Sequence, residues 1–140
     1  MVKAVVVVLV LVICFALCTS CESAASVQNT LMPGADGILA ISVSSMPQGY
    51  DYSFAGESAK ALAQYILKMD TLSDFPENPD VYTGMTWVIT AEYEDRNTAT
   101  VYLFGNMFIR SGDGPWFKIS PKESQSFEAL LDSLSQRSSQ

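Results

Sequence analysis

The chain has 140 residues, of which 49% are hydrophobic and 16% are charged, so it can form one domain with a sizeable core. Its 15 acidic and 8 basic residues give a net charge of −7, which argues against nucleic acid, whose binding depends on clustered lysine and arginine. The sequence contains no histidine. This excludes histidine general bases, Ser-His-Asp and Cys-His nucleophile arrangements, and zinc sites that use histidine.

The first 20 residues have the pattern of a signal peptide. Lys3 supplies a positive charge, and Ala4–Cys18 follows as 15 apolar residues. A helix that spans a bilayer needs about 20 apolar residues, whereas the core of a signal peptide needs about 7–15. We therefore predict a secretory leader over residues 1–20, with an uncleaved membrane anchor as the alternative.

Residues 17–21 (Leu-Cys-Thr-Ser-Cys) resemble the lipobox of bacterial lipoproteins, in which small residues precede a lipid-modified cysteine. Thr19 and Ser20 match the small residues, Cys21 matches the modified cysteine, and Cys18 stands where the family usually has leucine. The resemblance implies that Cys21 becomes the mature N-terminus and carries acyl chains. It also implies attachment to the outer side of the bacterial cytoplasmic membrane.

The leader sets the predicted domain boundaries. Residues 1–20 are the signal peptide, 21–35 the lipid-anchor cysteine and a polar tether, 36–135 the folded domain, and 136–140 a frayed tail. The tether is predicted because residues 22–33 are mostly small and polar, without a periodic apolar pattern. Ordinary cleavage after Ser20 or Ala25 is the alternative, and it would release the protein as a freely secreted domain. All three cysteines lie within the first 21 residues, so the folded domain can form no disulfide.

The first half of the domain predicts one strand and one helix. Gly37–Val43 is a short apolar strand candidate, and Ser44–Tyr52 is a predicted loop. The segment Asp70–Asp80 is predicted to be a solvated acidic loop, because its carboxylates do not follow the spacing of a calcium-binding loop. Between them, apolar residues at helical spacing predict a helix from Glu57 to Met69 that begins near Gly56; they are Ala59, Leu62, Ala63, Ile66 and Met69.

The second half predicts an antiparallel meander followed by a helix. Ser120, Pro121 and Glu123 have the pattern of a helix N-terminus with a capping box. The element order β-α-β-β-β-β-α predicts a two-layer α+β domain, with both helices on one face of the sheet. This order is similar to one half of the TATA-binding-protein-like fold, an expectation for the fold alone. The predicted strands are Met85–Tyr93, Thr98–Phe104, Met107–Arg110 and Trp116–Ile119.

The turns of the meander predict which side chains face the helices. We expect Tyr93 to pair with Thr98, and Phe104 with Met107, because residues that flank a tight turn pair and point to the same side. The predicted helix-facing set is Met85, Trp87, Ile89, Ala91, Tyr93, Tyr102, Phe104, Met107 and Ile109. Phe117 and Ile119 join it if Arg110 pairs with Trp116.

The opposite face is then more apolar than an ordinary solvent-facing surface. We interpret it as a candidate interaction face for a protein partner, a second copy of the chain or an apolar ligand. Partial cover by the Ser44–Phe54 segment or by the tether is the alternative. The predicted interaction residues are Val101, Leu103, Phe108, Arg110 and Trp116.

The sequence therefore predicts an exported, lipid-anchored domain that works by binding and is not an enzyme. We expect no cofactor, no metal and no nucleic-acid partner. A freely secreted inhibitor or ligand carrier is the first alternative. The second is a small enzyme without histidine, whose acid–base groups would come from the carboxylates of Glu92, Glu94 and Asp95 at one hairpin end.

Overall fold

The computed structural model describes residues 31–47, 49–75, 79 and 84–138. The elements are β1 (Ile38–Met46), β2 (Asp51–Ala55), α1 (Gly56–Leu67), β3 (Thr71–Phe75), β4 (Thr86–Tyr93), β5 (Thr98–Phe104), β6 (Phe108–Ser111), β7 (Trp116–Ile119) and α2 (Pro121–Ser138). The strands form one antiparallel sheet in the order β2-β1-β4-β5-β6-β7-β3. The α+β class with two helices is confirmed.

Two strands lie in segments where the sequence predicted none. β2 pairs with β1 at one edge of the sheet, with Ile41 opposite Phe54. β3 pairs with β7 at the other edge, so the predicted acidic loop begins as a strand. Both are short edge strands that are stabilised by tertiary pairing, which local sequence does not reveal. The suggestion that the Ser44–Phe54 segment covers the second face is wrong, because Tyr52 and Phe54 pack with the helix-side core.

One hydrophobic core joins both helices to one face of the sheet. The predicted apolar stripes of α1 and α2 are both buried, which confirms the helical spacing found in the sequence. The main contributors from the helices are Ala59, Leu62, Ala63, Ile66, Phe127, Leu131 and Leu134. The main contributors from the sheet are Ile41, Val43, Phe54, Trp87, Ile89, Ala91, Val101, Leu103 and Ile109.

The predicted start of α2 is confirmed. Pro121 is its first residue, and the Ser120 hydroxyl oxygen accepts a 3.3 Å hydrogen bond from the Glu123 backbone N–H. α1 begins at Gly56, whose φ of +56° is readily adopted by glycine. Each helix carries a glutamate in its first turn, Glu57 in α1 and Glu123 in α2, where the positive end of the helix dipole favours a negative charge.

The predicted register between β4 and β5 is wrong by one residue. Glu92, rather than Tyr93, lies opposite Thr98, and the Tyr93 backbone N–H donates to the Asn97 carbonyl oxygen at 3.0 Å. The turn therefore has three residues instead of four, and its last residue, Arg96, has a φ of +66°. A three-residue hairpin loop uses this left-handed conformation at its third position. An arginine in a sequence does not predict that conformation.

This change of register exchanges the two faces of β5. Val101 and Leu103 are both 0% exposed and pack in the core, so their predicted place opposite the helices is wrong. Tyr102 and Phe104, which we expected to face the helices, alternate with these core residues and lie on the other face.

A second change of register follows at the β5–β6 turn. Phe104 lies opposite Phe108, and Gly105 and Asn106 both have positive φ values within a three-residue turn. Met107 therefore lies in the turn and not on the helix-facing side. Because the two shifts cancel, Ile109 keeps its predicted place in the core.

The folded domain includes residues that we assigned to the tether. Leu31 is 0% exposed and Met32 is 2% exposed, and both belong to the core cluster. The Tyr93 hydroxyl also donates a 3.0 Å hydrogen bond to the Gly34 carbonyl oxygen. The prediction of a tether over residues 21–35 is therefore wrong at its C-terminal end. The predicted leader, Cys21 and the rest of the tether lie outside the described residues.

A tyrosine hydroxyl joins the two helices. The Tyr65 oxygen, near the end of α1, lies 2.8 Å from the backbone carbonyl oxygen of Glu123 and 3.1 Å from its carboxylate oxygen Oε2. Burial, followed by the hydrogen bond to the Glu123 carboxylate, raises the pKa of Tyr65 to about 12. The neutral phenol is therefore the form that the folded protein favours.

The raised pKa of Tyr65 makes the protein sensitive to alkali. Between pH 10, the ordinary tyrosine pKa, and about pH 12, the unfolded chain loses the Tyr65 proton while the folded protein keeps it. The free energy of unfolding should therefore fall as pH rises through this range. In Tyr65→Phe the fall should be shallower, with a remainder from Tyr52 and Tyr93, whose pKa values are also raised. Urea midpoints measured across this pH range test this, and equal slopes in the two proteins would contradict it.

The corrected register can be tested by two matched leucine substitutions. Leu103→Ala should lower the free energy of unfolding by about 2–5 kcal/mol, because it empties a buried core position. Leu72→Ala is the control, since Leu72 is 63% exposed and its loss should change stability by less than about 0.5 kcal/mol. Urea unfolding of both variants gives the comparison. A cost below about 1 kcal/mol for Leu103→Ala would show that β5 has the opposite orientation.

Candidate functional site

A cleft of about 170 Å³ lies between the edge strand β2, the beginning of β4 and the middle of α2. Three aromatic side chains, two carboxylates and two apolar side chains line it. The lining residues are Tyr50, Tyr52, Met85, Trp87, Glu128, Leu131 and Asp132. We refer to this feature as the cleft.

Ser45 holds Tyr50 at the mouth of the cleft. The Ser45 backbone N–H donates to the Tyr50 carbonyl oxygen at 3.0 Å, and the Tyr50 backbone N–H donates to the Ser45 hydroxyl oxygen at 2.9 Å. Ser45 is buried and lies opposite Trp87 in the β1–β4 pairing. The backbone of Tyr50 is thus attached to the sheet beside Trp87, although its side chain is 54% exposed.

Three aromatic rings form the wall of the cleft. The ring centroids of Tyr50 and Trp87 lie 5.7 Å apart, and those of Tyr52 and Trp87 lie 6.3 Å apart. The two tyrosine rings are nearly parallel, with an interplanar angle of 5° and centroids 6.4 Å apart. Trp87 also contacts Phe127 of α2 edge-on at 6.1 Å. These contacts fix the wall between the sheet and the helix, because such ring pairs add stability beyond their buried area.

The opposite side of the cleft is acidic. Glu128 and Asp132 are four residues apart on α2, so their side chains lie on the same face of the helix. Both line the cleft, and none of the lining residues is basic. The pKa of Tyr52 is raised, first by burial and then by the negative charge of Asp132, with smaller contributions from Tyr50 and Glu128. The cleft therefore combines aromatic surface with uncompensated negative charge.

The indole N–H of Trp87 is an unpaired hydrogen-bond donor behind the wall of the cleft. The Trp87 side chain is only 4% exposed, and within the described part of the protein its Nε1 atom is inaccessible to solvent and has no hydrogen-bond partner. A buried donor without an acceptor costs about 1–3 kcal/mol. The described residues contain two further buried polar atoms of this kind, Arg110 Nε and Ser124 Oγ, so an unpaired atom is not particular to the cleft.

The residues around the cleft and at the β4–β5 turn differ in the chemistry that they offer. The raised pKa of Tyr52 keeps its hydroxyl neutral at physiological pH, so this group is a poor general base. No cluster of three metal-ligating side chains occurs among the described residues. Glu92, Glu94 and Asp95, the carboxylates of the enzyme alternative, are exposed at the β4–β5 turn and do not line the cleft. The Asp95 carboxylate accepts hydrogen bonds from the backbone and side-chain N–H groups of Asn97.

The structure divides the predicted interaction face into two groups. Val101 and Leu103 are core residues and are wrong as interaction residues. Phe108 does lie on the face opposite the helices, but it is only 1% exposed. Arg110 and Trp116 are half-buried. A binding role for these three residues remains a prediction.

Arg110 packs between two aromatic rings on that face. Its guanidinium carbon lies 4.8 Å from the ring centroid of Tyr102 and 4.6 Å from that of Trp116. The Trp116 ring in turn meets Phe104 edge-on, with centroids 6.4 Å apart. Cation–π contacts of this kind stabilise the folded state, so the charge of Arg110 is used within the domain.

The sequence did not predict the cleft. Its only local signals are the alternation of Tyr50 and Tyr52 and the pair of carboxylates, Glu128 and Asp132, that flank a buried leucine. Both signals also occur on ordinary edge strands and solvated helices. Their meeting depends on β2 pairing with β1 and on α2 packing over Trp87, which are tertiary contacts.

No protein-family model, curated protein or solved structure matches this chain. Among the described residues, neither helix is long and apolar enough to cross a membrane. The candidate site is therefore argued from its own geometry.

The carboxylates of Glu128 and Asp132 should destabilise the protein slightly, because like charges four residues apart on a helix repel. Asp132→Lys replaces that repulsion with a favourable Glu128–Lys pair. We expect it to raise the free energy of unfolding by about 0.4–1 kcal/mol in the absence of ligand. Urea unfolding at low salt measures the change, and high salt should reduce it. A loss of stability would contradict the assignment of Asp132 as an uncompensated charge.

Proposed function

We propose that this chain is an exported protein, anchored through lipid on Cys21 to the outer side of the bacterial cytoplasmic membrane, whose α+β domain binds a ligand in the cleft without catalysis. The observation that carries the binding role is the meeting of three aromatic side chains with two carboxylates, and with no basic residue, in the lining of one cleft.

The type of cleft supports binding rather than chemistry. Small-molecule sites are concave, and a few polar groups in them set the orientation of the ligand. Here Tyr50, Tyr52 and Trp87 supply aromatic rings, while Glu128 and Asp132 supply the charge. Cysteine, serine and lysine, which are common nucleophiles, are absent from the lining residues.

The leader and the charge of the chain support this location. A net charge of −7 gives no attraction to an anionic membrane surface, which favours attachment through acyl chains. Because Leu31 is already in the core, the proposed tether runs from Cys21 to residue 30. Ten extended residues reach at most about 35 Å, which would hold the cleft close to the membrane.

The two alternatives differ from this proposal in separate properties. A freely secreted carrier would use the same cleft but would be cleaved after Ser20 or Ala25 without lipid. An enzyme without histidine would need a functional carboxylate pair, and its remaining candidates are Glu128 and Asp132. Asp132 is exposed to solvent, whereas a catalytic carboxylate pair normally has one member in an apolar environment.

Metabolic labelling with a palmitate analogue tests the anchor. The wild-type protein should incorporate the label and fractionate with membranes, and Cys21→Ala should lose both properties. Cys14→Ala is the matched control, because it removes a cysteine of the leader outside the lipobox-like residues 17–21 and should keep the label. Labelling of Cys21→Ala, or an unlabelled wild-type protein whose mature N-terminus is an unmodified Cys21 or Ser26 by mass spectrometry, would contradict the anchor.

A further inference from the structure

We infer that the cleft recognises a small alkylammonium ion. This inference rests on the proposed binding function and names the chemical class of the ligand. It is carried by the meeting of three aromatic rings and two carboxylates in a single cleft.

The aromatic wall favours a positive ligand. The faces of tyrosine and tryptophan rings carry negative electrostatic potential, and tryptophan attracts cations most strongly. Tyr50 and Tyr52 are tilted by 40° and 45° to Trp87, so the rings form an angled surface rather than one flat stack. Methyl or methylene groups around an ammonium nitrogen can contact such a surface while the charge remains close to it.

The carboxylates supply the opposite charge. Glu128 and Asp132 both line the cleft without a basic neighbour among its lining residues. An anionic ligand would meet repulsion from both groups and from the net charge of −7. A neutral ligand would leave their charge uncompensated. A cation therefore fits the cleft best on charge alone.

The size of the cleft limits the ligand. Its volume of about 170 Å³ suits a small molecule. Choline has a compact quaternary ammonium group, which makes it a suitable probe.

Isothermal titration of the purified mature protein, kept in mild detergent, with choline and with 3,3-dimethylbutan-1-ol tests the inference. The second compound has nearly the same shape as choline, with a neutral carbon in place of the nitrogen. We expect choline to bind at least about fivefold more tightly than this neutral isostere, from the combined contributions of rings and carboxylates. Added salt should weaken choline binding, because the carboxylates lie at the surface.

Matched variants locate the binding. Glu128→Gln with Asp132→Asn should weaken choline binding at least about fivefold without unfolding the protein, since both side chains lie at the surface of α2. Glu92→Gln with Asp113→Asn removes the same charge from exposed sites outside the cleft and should leave binding unchanged. Tyr50→Leu, at a side chain that is largely exposed, should weaken choline binding severalfold.

The outcomes separate this inference from the proposed function. Equal binding of choline and the neutral isostere would overturn cation recognition but leave a ligand site in the cleft. Unchanged choline binding in the variant of Glu128 and Asp132 would overturn it as well. If neither compound binds, the inference fails, and the palmitate labelling still decides the anchor independently.

Discussion

Burial of alternate side chains of β4 against the helices is the constraint on which the rest of the structure depends. Trp87, Ile89, Ala91 and Tyr93 are all buried, and β4 lies between β1 and β5 in the sheet. Full burial of one large apolar side chain is worth about 1.5–3 kcal/mol. A slip of one residue against either neighbour would turn that neighbour's apolar side chains away from the core, so the registers of β1 and β5 follow from β4.

The sequence was sufficient for the helices and the α+β class, because their signals are local. The spacing of apolar residues in α1, and the Ser120 cap with Pro121 at the start of α2, act over a few residues. The strand faces depended on turn geometry, and Arg96 in a left-handed conformation gives no such local signal. The pairing of β3 with β7 joins segments about forty residues apart, which no local pattern reports.

The cleft contains a feature that is unfavourable in the free protein. Two like charges lie on one face of α2 beside aromatic rings, without a basic lining residue. Proteins keep local conflicts of this kind mainly at functional sites. On the other face, the charge of Arg110 contacts two aromatic rings within the domain. We therefore assign ligand binding to the cleft rather than to the Arg110 surface.

The indole N–H of Trp87, whose ring lines the cleft, offers the most direct test of the central claim that the cleft binds an alkylammonium ligand. In a two-dimensional ¹⁵N NMR spectrum the indole signals of Trp87 and Trp116 can be assigned by substituting Trp116 with phenylalanine. On addition of choline, the account predicts that the Trp87 indole signal shifts while the Trp116 signal stays in place. A shift confined to Trp116, or no shift of either signal, would contradict the claim.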